Sequence, residues 1–184
     1  MSKLEVGVIV GSLSSTSINR KLANALKLLA PEEMHFTDIS IGDVPLYSSD
    51  YDADYPETAR LLKAQIERAH AILIVTPEYN RSMPGVLKNA LDWGSRPWGK
   101  NSFDGKPAAV IGASPGAIGT AVAQAALRPV LGFLNVAQLG QPEAYIHFKP
   151  DLIDDDGTVT NEGTRDFLRG YMERFYGFAA HHKG

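Results

Sequence analysis

The run Ala71–Thr76 (AILIVT) is apolar at consecutive positions, with no polar alternation and too few residues for a helix. Such a run belongs to a strand covered on both faces, the type that parallel sheets use. Leu4–Val10 and Lys106–Ala113 are of the same type, and Met34–Ile39 and Val136–Leu139 are shorter versions of it. Helical patterns fill the intervals. Ile18–Leu29 repeats apolar residues at helical spacing and is closed by Pro31. Glu57–Ala69 and Gly85–Arg96 follow, then Gly119–Phe133, which Pro129 is expected to interrupt. Asn161–Ala180 reads as an amphipathic helix with Asn161 as its cap. Gly42–Pro56, with Tyr47, Tyr51 and Tyr55, reads as a long loop, and Gln141–Thr160 as irregular. Strand and helix thus alternate throughout, which predicts an α/β fold: a doubly wound, five-stranded parallel sheet with helices on both faces.

One domain over residues 1–184 accommodates this pattern, and a hydrophobic share of 44% supplies its core without covalent staples. The chain carries 18 Lys+Arg against 21 Asp+Glu. That balance argues against nucleic acid as a partner, since phosphate backbones demand a basic face. It argues equally against the strongly acidic surface of a small electron carrier. With no cysteine, disulfides, thiolate metal sites and cysteine nucleophiles are excluded. The five histidines are scattered and Asp154–Asp156 reads as a charged loop, so no metal site is expected. No apolar stretch reaches the length of a membrane span, and the first one is too short for a signal peptide. A cytoplasmic protein is the expectation.

Ligands of such sheets bind beyond the carboxyl ends of the strands, where the strand order reverses. The loops after the first, third and fourth strands read GSLSSTSIN (11–19), PEYNRSMPG (77–85) and ASPGAIG (113–119). The first opens a helix, whose unpaired N–H groups and positive dipole end suit a phosphate. Ser12, Ser14, Ser15, Thr16 and Ser17 add hydroxyls, and Ser17 is a good N-cap. Neither GxxxxGK[ST] nor GxGxxG occurs there, so triphosphate hydrolysis and the usual dinucleotide fingerprint are not indicated. A monophosphate ester such as that of FMN suits backbone and hydroxyl donors with little cationic help; a serine-rich turn that only caps the helix is the alternative. In the second loop Pro77 ends the strand and Pro84-Gly85 starts the next helix, leaving the backbone between them to meet a planar ligand. Glu78 reads as a ligand contact or a solvated acid, and Asn80 as a contact or a turn former. Tyr79 reads as a substrate-side aromatic or an ordinary half-buried tyrosine, and Lys88 with Asp92 as a helix-surface ion pair.

Together, GSLSSTSIN and PEYNRSMPGVLKNALDW (77–93) closely resemble the NAD(P)H-dependent FMN reductase family, which has the flavodoxin-like fold and includes quinone, chromate and azo-dye reductases. The resemblance spans essentially the whole chain. It implies strand order 2-1-3-4-5 and bound FMN, with NADPH or NADH as co-substrate. Hydride would pass from the nicotinamide through FMN to a small oxidised acceptor (quinone, chromate, azo compound or free flavin) by a ping-pong mechanism, with no dedicated acid or base. Ser12, Ser17 and Asn19 would bind the phosphate with backbone help from Ile18. Pro77, Glu78, Tyr79, Asn80 and Arg81 would wrap the ring edge, largely through backbone groups, and Ser114 and Gly116 would close on it. Ser14 stands where many relatives carry an arginine, so the phosphate would rest on hydroxyls, Ser14 among them, or on Arg20. Arg20, Arg81 and Arg96 are candidate contacts for a 2′-phosphate. The family also implies a homodimer or homotetramer in which Trp93–Phe103 covers a neighbour's flavin site. A flavodoxin-type electron carrier would share fold and FMN but turn over NAD(P)H slowly. A signalling receiver domain would need paired acids where this chain has Gly11-Ser12.

Overall fold

The computed structural model describes residues 3–182. The strands β1 (Leu4–Val10), β2 (Met34–Asp38), β3 (Ala71–Val75), β4 (Pro107–Ser114) and β5 (Ala137–Gln138) lie in the order β2-β1-β3-β4-β5, all parallel. This is the flavodoxin-like order, and it reverses between β1 and β3. The helices are α1 (Ile18–Leu29), α2 (Glu57–Arg68), α3 (Gly85–Ser95), α4 (Ala121–Phe133) and α5 (Glu162–His182).

Each central strand feeds two cores with period two. Val6, Val8 and Val10 of β1, Leu73 and Val75 of β3, and Ala109 and Ile111 of β4 face α1 and α5, where Leu22, Leu26, Leu168, Met172 and Phe175 close the layer. Ile9, Ile72, Ile74 and Val110 face the other way, onto Leu62 and Ile66 of α2, Leu87 and Leu91 of α3, and Leu127 and Leu131 of α4. Burial on both faces is why these strands read as unbroken apolar runs. Tyr171 is wholly buried among them because its hydroxyl donates to the Val110 carbonyl at 2.9 Å.

Three expectations change. Pro129 does not interrupt α4, which runs through it. Leu127 and Leu131, both fully buried, anchor the helix on either side and outweigh the one hydrogen bond that proline forfeits. The stretch 141–160 is not wholly irregular: β6 (Tyr145–His147) pairs with Gly112–Ser114 of β4, beyond the short β5, so the fifth position of the sheet is shared by two fragments. Trp93 is no surface residue. It is wholly buried, its indole N–H donates to the Pro45 carbonyl at 2.7 Å, and Tyr47, Tyr51 and Tyr55 surround it with ring centroids 5.1–5.7 Å away. The long loop 42–56 is thereby pinned to α3, with Asn89 accepting from the Tyr47 N–H and donating to Pro45. Asn161 caps α5 as expected, accepting from the Thr164 N–H at 2.9 Å.

Candidate functional site

At the head of α1, Ser17 takes an extended backbone and its hydroxyl accepts from the Arg20 N–H at 3.3 Å. The turn before it is knitted by hydroxyls. Ser12 accepts from the Ser14 N–H at 3.4 Å, and Ser14 accepts from the Thr16 N–H at 3.3 Å while its hydroxyl meets that of Thr16 at 3.2 Å. Among the described residues, the N–H groups of Ser15, Ile18 and Asn19 donate to no protein acceptor. These are the orphan donors of a helix start, lying where the dipole's positive end lies. Donors of this kind, with hydroxyls on both sides, fit a phosphate ester.

Asn19 is placed differently from the reading above. Its side chain is 1% exposed and turned inward, donating to the Ala113 carbonyl and accepting from the Ala113 N–H, each at 2.9 Å. What it can offer a phosphate is its backbone N–H. The amide side chain instead fastens the start of α1 to the end of β4.

The second loop is a tight hairpin. Tyr79 and Ser82 exchange both backbone hydrogen bonds at 3.0 Å, and the two residues between them, Asn80 (φ 50) and Arg81 (φ 63), are left-handed. Positive φ at both central positions defines a type I′ turn, which asparagine tolerates and arginine does not readily adopt. Asn80 is therefore the turn former. Tyr79 is 53% exposed at the rim.

Glu78 is neither a solvated acid nor free to reach a ligand with its carboxylate, because its side chain is 6% exposed. One carboxylate oxygen accepts from the Val122 and Ala123 N–H groups, at 3.1 and 3.0 Å, and the other from the Arg81 guanidinium at 2.7 Å. Burial alone would push this carboxyl up. The Ala123 N–H, the Arg81 guanidinium and the Val122 N–H prevail and hold it below the ordinary carboxylate range.

The third loop leaves β4 at Ser114, whose hydroxyl accepts from the Gly116 N–H at 3.1 Å. It packs closely on the second. A Cβ at Gly112 would collide with the Thr76 carbonyl and the Thr120 hydroxyl, so no other residue fits there. All three loops thus meet above the carboxyl ends of β1, β3 and β4, at the reversal of strand order. Of the three candidate arginines, Arg81 is engaged by Glu78. Arg20 lies 3.7 Å from Asp38, a carboxylate held more closely by Lys27 at 2.8 Å, and Arg96 sits 5.6 Å over the Trp98 ring. Lys88 and Asp92 form the expected ion pair at 2.7 Å. No group of residues suited to hold a metal ion occurs among the described residues.

The signals missed in the sequence are the buried ends of Asn19 and Glu78. Both ligate backbone groups far along the chain, and nothing local marks them.

The family model of the NADPH-dependent FMN reductases matches residues 4–151, a span that holds all three loops. A 2-hydroxy-1,4-benzoquinone reductase from Burkholderia sp. is 54% identical over 172 residues, covering 94% of each chain. A quinone reductase from Pseudomonas putida is 48% identical over 171 residues, covering 92% of this chain and 91% of its own. Among solved structures, the flavoenzyme NAD(P)H:(acceptor) oxidoreductase FerB from Paracoccus denitrificans superposes with a TM-score of 0.94 at 47% identity, covering 97% of this chain and 98% of its own. On the sequence match and on the loops that carry it, the chain belongs to the NADPH-dependent FMN reductase family.

Proposed function

We propose that this enzyme oxidises NADH or NADPH and reduces quinones and related small oxidised acceptors through FMN held across the three loops. The observation that carries the reading is the convergence of unpaired N–H donors and hydroxyls at the head of α1 with the rigid hairpin Tyr79–Ser82 across the sheet's reversal point. The names of the relatives, quinone and benzoquinone reductases, support the substrate class. Bound FMN would supply the two-electron chemistry that links nicotinamide oxidation to acceptor reduction.

The chain's own residues bind and orient. The N–H groups of Ile18 and Asn19 and the hydroxyls of Ser12, Ser14 and Ser17 hold the phosphate. The backbone from Pro77 to Arg81 meets one edge of the ring, and Ser114 and Gly116 meet it from the third loop. Tyr79, exposed at the rim, would lie beside the face where nicotinamide and acceptor bind in turn.

The active assembly is a dimer or tetramer. Each strand climbs to the three loops and each helix returns, so the segment after α3 lies at the opposite end of the sheet from its own site. Asn101 donates there to the Leu134 carbonyl, and Gly105 to that of Asn135. Trp98 and Phe133, 77% and 72% exposed, project beside a cavity of about 300 Å³ shared with Arg96 and Leu134. A second copy of the chain would bring that surface to a flavin site. No helix of the described residues is long and apolar enough to cross a membrane.

Steady-state oxidation of NADH and NADPH with benzoquinone as acceptor tests the reading. Yellow protein and parallel double-reciprocal lines are expected. Intersecting lines overturn the alternating mechanism, and a colourless chain that takes up no FMN overturns the function.

A further inference from the structure

The helix α4 has no cap of its own. Its first turn holds no acid, and the hydroxyl of Thr120, at the cap position, accepts instead from the Gln124 side chain at 2.9 Å. The missing anion comes from Glu78, 44 residues from Val122, whose carboxylate lies on the first N–H groups of the helix, where the dipole favours it. The same carboxylate holds Arg81, which occupies a left-handed position that a non-glycine residue adopts only when its surroundings impose it. One buried group therefore ends on two walls of the cleft at once. A helix cap alone would need the two N–H groups and no arginine.

On the reading of the cleft as an FMN site, we propose that Glu78 is a positioning residue for the flavin ring. Its carboxylate ties the Tyr79–Ser82 hairpin to the start of α4 and so sets the spacing of the backbone groups that meet the ring, without touching the ring itself. The phosphate, held at the head of α1, lies outside this tie.

The variants Glu78→Gln and Arg81→Ala, singly and combined, test this in the full chain. Glu78→Gln keeps an oxygen for the two N–H groups of α4 but turns an amide donor toward the guanidinium. Affinities for FMN and for riboflavin are read by quenching of flavin fluorescence, the flavin midpoint potential by equilibration with a redox dye, and the stability of the flavin-free chain by thermal unfolding. Each single variant is expected to weaken FMN and riboflavin by the same factor, about tenfold for one charge-assisted hydrogen bond, and to shift the midpoint potential. The double variant is expected to bind no more weakly than Glu78→Gln, because both changes remove one contact. Unchanged flavin affinity and potential in Glu78→Gln, or losses that add in the double variant, overturn the tie. A wild-type chain that binds neither flavin overturns the FMN reading beneath it.

Discussion

The wall proposed to meet the phosphate and the walls proposed to meet the ring are built in opposite ways. In the first, the hydroxyls of Ser12, Ser14 and Ser17 bond, among the described residues, only to groups two or three positions away, at 3.2–3.4 Å, and none of these bonds is fully buried. In the others, and at the seam that joins the first to them, two buried side chains cross the fold to reach backbone groups. Asn19 spans 94 residues to Ala113, and Glu78 spans 44 and 45 residues to Val122 and Ala123, at 2.9–3.1 Å. Both cross-links end on the third loop or its flanks, which makes the β4–α4 junction the reference point of the site. A phosphate is a compact charge that tolerates several arrangements of donors. A planar ring must be met at fixed distances, and fixed distances need long-range, water-excluded bonds.

If that contrast is right, removing a cross-link costs folding stability, and removing a local hydroxyl costs mainly phosphate affinity. The largest effect is expected for Asn19→Ala. It leaves the buried N–H and carbonyl of Ala113 without partners, at about 2–4 kcal/mol. Urea unfolding of the flavin-free chain measures it. A loss under about 1 kcal/mol would mean that water reaches the β4 end and that the two kinds of wall do not differ as described.

Acid should act on the ring walls next. Glu78 is held below its ordinary range in the folded chain, so it binds fewer protons there than when unfolded. Its stabilisation is complete above the ordinary carboxylate pKa and is lost as pH falls through the lower folded value. The stability gap between wild type and Glu78→Gln should accordingly be constant near neutrality and close in acid. A gap that widens on acidification has the wrong sign for a buried, charged tie.

The same contrast explains what could be read from the chain beforehand. Strands buried on both faces, helix caps at Ser17 and Asn161 and the prolines around the second loop are local patterns, and they put the elements and the three loops in place. β6 escaped because Tyr-Ile-His is too short to show a period and exists only by pairing with β4. Trp93 looked like an interface residue because its tyrosine cage is drawn from residues 47–55, which carry no pattern of their own. Glu78 and Asn19 stand out in the sequence as candidates for the site, but their direction does not, since a side chain's partner far along the chain is decided by the fold.

Ser17→Ala sharpens the comparison from the other side. It removes the α1 cap and a donor at the phosphate, so about 1 kcal/mol of stability and several-fold of FMN affinity should go. Riboflavin, which has no phosphate, should bind as before. Equal losses for both flavins would mean that the first wall also governs the ring.

The smallest effect concerns Ser14, which the family resemblance sets at a position where an arginine is expected. Here the hydroxyl lies exposed in the serine turn, and the nearby Arg20 leans toward Asp38 at 3.7 Å. On the proposed reading, the phosphate's charge is then met chiefly by N–H dipoles at the head of α1. Ser14→Arg adds a solvent-exposed cation beside that charge. Exposed ion pairs are weak, so FMN should tighten only about two- to fivefold, and the gain should fade as salt is raised. Riboflavin affinity and the stability of the flavin-free chain should not move. A gain that survives high salt, or that riboflavin shares, would place the new arginine on the ring instead, and the separation of phosphate wall from ring walls would have to be redrawn at Ser14.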